Sequence, residues 1–370
     1  MKKSVIFGII IGILVIIGIS YFIIFQNSSP PEKTDIETDT SPSETNELLN
    51  DIESPNENNL LQIACKNAVN DYPEWTKYET DIIIWEDSDK GFRFRNSPED
   101  TSIGIGSPAQ DSEILLDMDF VDVNEISYIK TQDNKWKIGL FKLNGLDAPT
   151  NSIIYENVEI VPRVDISPIS KSKFIAFYIK ENKAFLKYLD LTSSREEILL
   201  EIPSVNTNIQ KISVSPKGDY VYFFYDQTLR IFEIASKTKL DEINSVESVV
   251  WVGELYLLYS NSEGTFIYSV ENKEKNKLEN MGSVSDLSFN PKEGGIITYN
   301  SESKGEVVNC QNWAKLNSLN NGKIETLSSE KTAIIEKEGV KMYWRFKNAD
   351  WTLAPSSLQI SKYVTVWKRY

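Results

Sequence analysis

The sequence predicts an all-β domain of β-propeller architecture, preceded by an N-terminal transmembrane helix and a disordered stalk. Three observations lead to this prediction. From about residue 80, short runs of β-branched and aromatic residues alternate with clusters of Gly, Pro, Asn, Asp and Ser, which is typical of all-β domains. A four-strand pattern recurs in this part of the chain about every 40 residues. Before it, residues 5–25 are apolar and uncharged, and residues 26–54 are strongly acidic.

The apolar segment 5–25 predicts a single-pass transmembrane signal anchor. As a helix it is about 31 Å long at about 1.5 Å per residue, which is enough to cross a hydrocarbon core of about 30 Å. A cleaved signal peptide is the alternative, but its apolar region is shorter and ends in a small-residue cleavage site that this sequence lacks. Lys2 and Lys3 predict that the tip, residues 1–4, is cytoplasmic and that the rest of the chain lies outside the cell membrane.

Residues 26–54 predict a disordered acidic stalk. Between residues 27 and 59 the chain has nine acidic residues, four prolines, one lysine and no aromatic residue. A segment of this composition cannot bury enough apolar surface to offset the entropy of ordering it. Charge repulsion and proline extend it. We therefore expect the stalk to hold a domain away from the membrane.

A short helix at 55–70 is predicted where the stalk ends. Ser54, Pro55 and Glu57 have the spacing of a capped helix N-terminus, and the segment 71–73 ends the helix. Five apolar residues then recur at helical spacing on one face: Leu60, Leu61, Ala64, Cys65 and Ala68. We expect this face, with Cys65, to point toward the globular domain.

The segment 80–370 predicts a propeller of seven blades, within a range of six to eight. A cadence of strand, proline turn and strand occurs three times, at 164–168, 212–216 and 287–291 together with the strands that follow them. Counting strands gives units that begin near Met118, Val164, Lys211, Glu247, Ser285, Lys323 and Leu358. Four strands per unit of about 40 residues is the spacing of propeller blades.

The last unit has only two strands before the chain ends, so we expect upstream strands to complete it. The candidates are the runs at 81–85 and 91–95. Pairing N-terminal with C-terminal strands closes the ring and removes free sheet edges. The fourth strand of the unit near Glu247 is the weakest, and we place it at 277–281. We expect most of the aromatic residues to pack between blades.

The run SPKGDYVYF at 215–223 resembles the turn-and-strand motif of TolB-like and WD-repeat-like β-propellers. The residues Ser167-Pro168 and the later FIAF at 174–177 resemble it too, and 290–294 is a looser copy. The likeness covers about residues 80–370 as a cadence, with the motif in three repeats. Lys217 replaces the usual acidic turn residue, and the Gly-His and Trp-Asp signatures of WD repeats are absent. The resemblance implies propeller architecture and the binding of proteins, peptides or polysaccharides, but no specific reaction.

Composition excludes several kinds of site. The chain has no histidine and two cysteines, which excludes Ser-His-Asp triads, His-ligated zinc and four-thiolate metal sites. A net charge of −15 and a pI near 4.7 argue against a nucleic-acid partner. We assign no catalytic, cofactor-binding or metal-binding residue, and we predict that the chain is not an enzyme.

Two kinds of weak motif remain. The S-x-x-K spacing of Ser-Lys acyl enzymes recurs at Ser170/Lys173, Ser236/Lys239, Ser301/Lys304 and Ser328/Lys331. Four copies in turn-like regions indicate that composition, not catalysis, produces the pattern. Two oxygen-rich stretches that resemble calcium loops consist of 87–91 and of Asp117, Asp119, Asp122 and Asn124. We interpret both as solvated turn residues.

Cys65 and Cys310 allow two interpretations. Outside the membrane a disulfide can persist, and a bond between them would fix the end of the stalk to the ring. The alternative is two separate buried thiols.

Together these features lead to the hypothesis of a membrane-tethered extracytoplasmic propeller that is a non-catalytic binding or scaffold module for a protein, peptide or polysaccharide. The alternatives are a carboxylate-based glycan hydrolase and an envelope assembly or structural protein.

Overall fold

The structure is a computed structural model, and it describes residues 59–73 and 83–353 except for short gaps. The gaps are 88–90, 96–102, 107–113, 123–124, 145–146, 160, 162, 204–208, 226, 280, 292–294, 303, 330–331, 338–339 and 348–349. Every described residue belongs to one compact unit, Ser54–Tyr370. The predicted anchor, the stalk and the C-terminal strands of the last unit lie outside the described residues.

The described residues form one helix, α1 (Asn59–Asp71), and seven antiparallel sheets. Sheet 1 has three strands and sheets 2–7 have four each, and within every sheet each strand pairs with the next one along the chain. Consecutive four-stranded antiparallel sheets are the units from which propellers are built. The all-β prediction is confirmed, and the arrangement fits a β-propeller.

The strands of sheets 1 to 4 are β1 (Ile83–Asp87), β2 (Gly91–Arg95) and β3 (Ile103–Gly106); β4 (Ile114–Asp122), β5 (Glu125–Gln132), β6 (Lys135–Asn144) and β7 (Asp147–Glu156); β8 (Arg163–Ser170), β9 (Lys173–Lys180), β10 (Lys183–Asp190) and β11 (Arg195–Ile202); β12 (Ile209–Val214), β13 (Tyr220–Tyr225), β14 (Thr228–Glu233) and β15 (Thr238–Ile243).

Those of sheets 5 to 7 are β16 (Val246–Trp251), β17 (Tyr256–Asn261), β18 (Gly264–Ser269) and β19 (Lys275–Lys277); β20 (Asp286–Asn290), β21 (Ile296–Ser301), β22 (Lys304–Asn309) and β23 (Lys315–Asn320); β24 (Gly322–Ser329), β25 (Thr332–Lys337), β26 (Val340–Lys347) and β27 (Asp350–Leu353).

The predicted unit starts agree closely with the first strands of the sheets. The predictions at Val164, Lys211, Glu247, Ser285 and Lys323 each lie within two residues of the start of β8, β12, β16, β20 or β24. Met118 lies inside β4, and Leu358 lies outside the described residues. The predicted strands 81–85 and 91–95 correspond to β1 and β2, which pair with β3, a strand that the sequence analysis did not predict.

One strand position was wrong. The fourth strand of sheet 5 is Lys275–Lys277 rather than 277–281. Leu278 and Met281 are apolar because they are buried beneath α1, not because they belong to a strand. The backbone N–H of Leu278 donates a hydrogen bond of 2.8 Å to the carbonyl of Thr265, the position next to the Phe266–Lys277 pair.

In sheets 2 to 6 the first strand lies inside the fold and the fourth strand lies outside. First strands of neighbouring sheets contact one another, as β4 does with β8, β8 with β12, and β16 with β20. The fourth strand β11, in contrast, is largely exposed. Aromatic pairs fill the space between sheets, with Phe177 and Phe223 joining sheets 3 and 4 and Tyr222 and Trp251 joining sheets 4 and 5. Offset or tilted ring pairs of this kind add to the apolar burial.

Candidate functional site

The helix α1 is seated at the junction between sheets 5 and 6. Leu61, Ala64, Cys65 and Ala68 are completely buried, as their spacing on one helix face requires. They share a core cluster with residues of β17, β18, β20 and β21, which include Tyr256, Leu258, Ile267, Phe289 and Ile297. Burial of one leucine side chain stabilises by about 1.5–3 kcal/mol, so this face holds α1 firmly on the sheets.

Cys65 and Cys310 meet in this core. The structure has their sulfur atoms bonded, with the two Cα atoms 5.8 Å apart, inside the usual range of about 4.4–6.8 Å for a disulfide. Cys310 directly follows β22, so the bond joins α1 to sheet 6 across 245 positions of sequence. Both cysteines are completely buried. That the bond forms in the expressed protein remains a prediction.

Through Asp71, the C-terminal end of α1 is attached to sheet 5 and to one further sheet, sheet 4. Its Oδ1 lies 2.6 Å from Nζ of Lys217, in the turn of sheet 4 between β12 and β13. Its Oδ2 accepts a hydrogen bond of 2.9 Å from the backbone N–H of Glu254, in the corresponding turn of sheet 5. The hydrogen bond with Asp71 raises the pKa of Lys217. Tyr72 adds a hydrogen bond from its hydroxyl to the carbonyl of Trp251, at 3.2 Å.

Glu254 is the buried centre of this attachment. Its carboxylate accepts hydrogen bonds from the Ser215 hydroxyl (2.5 Å), the Lys217 N–H (2.6 Å) and the Asp219 N–H (3.1 Å). It therefore closes the β12–β13 turn, in which Gly218 has a φ of +88°. Burial raises the pKa of Glu254, and these three hydrogen bonds oppose the rise. Because the donors occupy its oxygens, this carboxylate links sheets 4 and 5 rather than facing a substrate.

Asp165 makes a similar link between sheets 3 and 4. Its carboxylate accepts hydrogen bonds from the N–H groups of Ile212 (2.7 Å) and Ile166 (3.0 Å). Burial raises the pKa of Asp165 to about 6, against the lowering effect of these hydrogen bonds and of Lys211. Two residues along, the Ser167 hydroxyl oxygen accepts the N–H of Val214 at 3.0 Å. The first strands β8 and β12 are thus joined by side chain to backbone hydrogen bonds.

The weak sequence motifs do not assemble into a reactive site among the described residues. Lys239 pairs with Glu242 and Lys304 pairs with Glu306, so these lysines of the S-x-x-K repeats engage carboxylates. Asp117, Asp119 and Asp122 lie along β4, whereas Asn124 and the 88–90 part of the first oxygen-rich stretch lie outside the described residues. In the part of the chain that the structure describes, no three Cys, Asp or Glu side chains cluster as they do around a metal ion.

The residues that fix the end of α1 are not predicted by the sequence. The sequence predicts only a helix stop at Asp71 and a departure from a motif at Lys217, and it predicts no role for Glu254. The sequence held one indication of this site. The segment 249–261 has the same succession of strand, turn and strand as the proline-containing segments, but its turn lacks the proline. That segment supplies Gly253, with a φ of +97°, and Glu254, whose carboxylate reaches the neighbouring turn.

Comparisons with known proteins show similarity of fold. No family model and no curated protein matches the chain. A solved structure of a functionally unknown protein from Desulfotomaculum acetoxidans is 14% identical, covers 78% of this chain and 99% of its own, and has a TM-score of 0.53. A chain of the mitotic checkpoint complex gives 11% identity, coverage of 69% and 90%, and a TM-score of 0.46. Hsv2 from Kluyvelomyces marxianus is 10% identical, covers 63% of this chain and 77% of its own, and has a TM-score of 0.43.

The similarity to the Desulfotomaculum protein shows a shared fold and nothing about function, because the identity is low and fold alone does not determine function. Within the described residues, no helix is long and apolar enough to span a bilayer.

Proposed function

We propose that this chain is a membrane-tethered, extracytoplasmic β-propeller of seven blades that acts as a non-catalytic binding or scaffold module for a protein, peptide or polysaccharide. The observation that supports the proposal is the fixed seat of α1. This helix directly follows the acidic segment, and it is held by an apolar face, by the Cys65–Cys310 bond and by Asp71. A stalk that ends in such a helix would be joined to the sheets at one fixed point, the junction of sheets 5 and 6, and would tether them to the membrane there.

The buried cysteine pair also supports the extracytoplasmic location. Disulfides persist in oxidising compartments and are rare where cellular thiols are kept reduced. The uncharged segment 5–25 and the lysines before it predict the same orientation. The resemblance of 215–223 to TolB-like propellers supports a binding role, because such folds present many loops on a rigid scaffold.

Trypsin release from membranes tests the tether and its orientation. Lys33 is the only basic residue between positions 26 and 58, so brief trypsin treatment of right-side-out vesicles should cut the stalk there and release the sheet domain as a soluble fragment. The variant Lys33→Gln should keep the domain bound to the vesicles under the same treatment. A domain that trypsin reaches only after detergent is added would contradict the extracytoplasmic orientation.

Affinity capture tests the binding role. The full chain, solubilised in mild detergent after chemical cross-linking of membranes, should enrich the same partner in repeated experiments. The matched control carries residues 1–58 of this chain fused to an unrelated folded domain, because partners of the anchor or stalk will be captured by both. If the full chain enriches nothing beyond the control, the binding proposal is wrong and a structural role replaces it.

A further inference from the structure

The helix α1 directly precedes sheet 1 in the chain, but it is seated on other sheets. The segment 72–82 leads from α1 to β1, the first strand of sheet 1. The attachments of α1, in contrast, are to sheets 4, 5 and 6, through its apolar face, the Cys65–Cys310 bond and Asp71. A pull on the chain before α1 therefore reaches these sheets before it reaches the strand that follows in sequence.

Sheet 1 is poorly placed to resist such a pull. Among the described strands, β1 pairs with β2 alone, and it is the end strand of the one sheet with three strands instead of four. A force that peels an end strand from its neighbour acts on one pair of hydrogen bonds at a time, so a short strand resists little. Loss of β1 would also remove one of the strands with which the segment 358–370 is expected to close the ring.

The disulfide gives the force a covalent path that bypasses β1. Cys310 directly follows β22, which is paired on both sides, with β21 and β23. Its backbone N–H donates a hydrogen bond of 2.9 Å to the carbonyl of Gly295, which holds this end of the path in sheet 6. Residues 66–309 lie inside the loop that the bond closes. Tension applied before Cys65 therefore enters sheet 6 and does not stretch sheet 1 while sheets 5 and 6 stay folded.

The chain is held a second time between the disulfide and β1. Asp71 pairs with Nζ of Lys217 at 2.6 Å and accepts the N–H of Glu254 at 2.9 Å. The Tyr72 hydroxyl donates to the carbonyl of Trp251 at 3.2 Å. Any movement of α1 that the disulfide allows is therefore resisted at the end of the helix, before it reaches the segment that leads to sheet 1.

We propose that α1 and the Cys65–Cys310 bond form a clasp that keeps tension in the stalk from reaching sheet 1. The clasp transfers a pull on the tether to sheets 5 and 6, so the predicted ring closure at sheet 1 stays intact when a bound partner pulls on the domain. This inference rests on the proposed membrane tether, and it gives α1 a mechanical role in addition to attachment.

Optical-tweezers pulling on single molecules of the full chain in detergent micelles tests the clasp. One handle is attached to a short peptide tag inserted after Lys33, in the predicted stalk. The other is attached to a tag between Ser262 and Glu263, because this exposed turn of sheet 5 should accept an insertion. In the intact protein, no step longer than about 30 Å should precede unfolding of sheets 5 and 6, since only the part of α1 before Cys65 can extend at about 3.5 Å per residue.

Cys65→Ser should add an early step of roughly 150 Å, because α1, the segment 72–82 and sheet 1 then extend in turn at about 3.5 Å per residue. Cys310→Ser should give the same step without any change in α1, so it tests the path even if Cys65→Ser fails to fold. Glu254→Ala is the matched control. It weakens the seat of α1 but leaves the covalent path, so the early step should be absent.

Three results would overturn the inference: the long early step in the intact protein, its absence from both cysteine variants, or its presence in Glu254→Ala. If one of these occurs while trypsin still releases the domain from right-side-out vesicles, the tether stands and only the clasp is wrong. If trypsin fails to release the domain, the tether is wrong, whatever the pulling experiment shows.

Discussion

The carboxylate of Glu254 contacts donors from a neighbouring sheet while its own backbone N–H bonds to α1. One residue thus connects sheet 4, sheet 5 and the helix, through its side chain and its backbone N–H. A buried donor left without an acceptor lowers the stability of the fold by about 1–3 kcal/mol. Glu254 therefore contributes to stability mainly by accepting hydrogen bonds from donors that would otherwise be unpaired.

The variant Glu254→Ala should therefore lower the free energy of unfolding by about 1–3 kcal/mol, because the N–H groups of Lys217 and Asp219 lose their acceptor. Urea denaturation followed by tryptophan fluorescence measures this. Glu263→Ala removes an exposed carboxylate in a hairpin turn of the same sheet and should change the free energy by less than about 0.5 kcal/mol. Equal effects of the two variants would show that the hydrogen bonds of Glu254 contribute nothing.

Asp165 makes stability depend on pH. Its pKa is raised from 3.8 to about 6 in the folded protein, so between these values the folded state binds more protons than the unfolded state. The protonated Asp165 therefore contributes its full stabilisation below about pH 4. This contribution to the free energy of unfolding, roughly 3 kcal/mol at most, is lost as the pH rises through about 6. Asp165→Asn should remove this slope in urea denaturation measured from pH 4 to pH 7. An unchanged slope would contradict the assignment.

Gly253 is required at its position for two reasons. Its φ is +97°, and a Cβ there would lie 2.9 Å from Oδ2 of Asp71 and 3.4 Å from Cα of Ala68. Gly253→Ala should therefore lower the melting temperature by several degrees, since strain of about 1–3 kcal/mol adds to the displacement of α1. Gly282→Ala is the control, because a Cβ there meets nothing within 4 Å. Differential scanning calorimetry should show little change for Gly282→Ala, and equal losses would exclude close packing of α1 as the cause.

At the scale of elements, α1 illustrates what local sequence can predict. Its apolar face follows from helical periodicity, which is a local property, and the residues expected on that face are the buried ones. Its seat at the junction of sheets 5 and 6 depends on packing between parts of the chain more than 180 residues apart, since Asp71 meets Glu254 across 183 positions. Periodicity contains no such information. The two cysteines were the only long-range indication, and the sequence left their pairing open.

The Cys65–Cys310 bond should be detectable in the expressed protein. A bond that closes 245 residues makes the denatured chain more compact, so the unreduced protein should migrate faster in a denaturing gel than the reduced protein. Cys65→Ser and Cys310→Ser should each abolish the difference and lower stability by about 2–4 kcal/mol. If neither single variant changes the unreduced mobility, the two cysteines are separate thiols.

At the scale of the whole molecule, the order of strands followed from the repeat. Proline turns such as Ser215-Pro216 and Asn290-Pro291 mark the end of the first strand in a sheet, and counting from them placed five sheet starts within two residues. β3 was missed because IGIG at 103–106 has two glycines and little strand propensity.

Ring closure is the remaining whole-molecule prediction. If the strands expected within 358–370 complete a sheet with the N-terminal strands, then ending the chain at residue 353 removes that pairing and leaves exposed sheet edges. Such edges pair with other molecules. The truncated chain should therefore melt at least about 5 °C below the intact chain and scatter light on heating.

A chain of residues 59–370 is the matched control for this truncation. It loses more residues, all from the predicted anchor, stalk and helix cap, and it keeps α1 and every described strand. It should melt within about 2 °C of the intact chain and remain monodisperse. If the two truncations have the same melting temperature and neither aggregates, the C-terminal residues do not close the ring, and the seven sheets must be completed by strand pairing within residues 83–353.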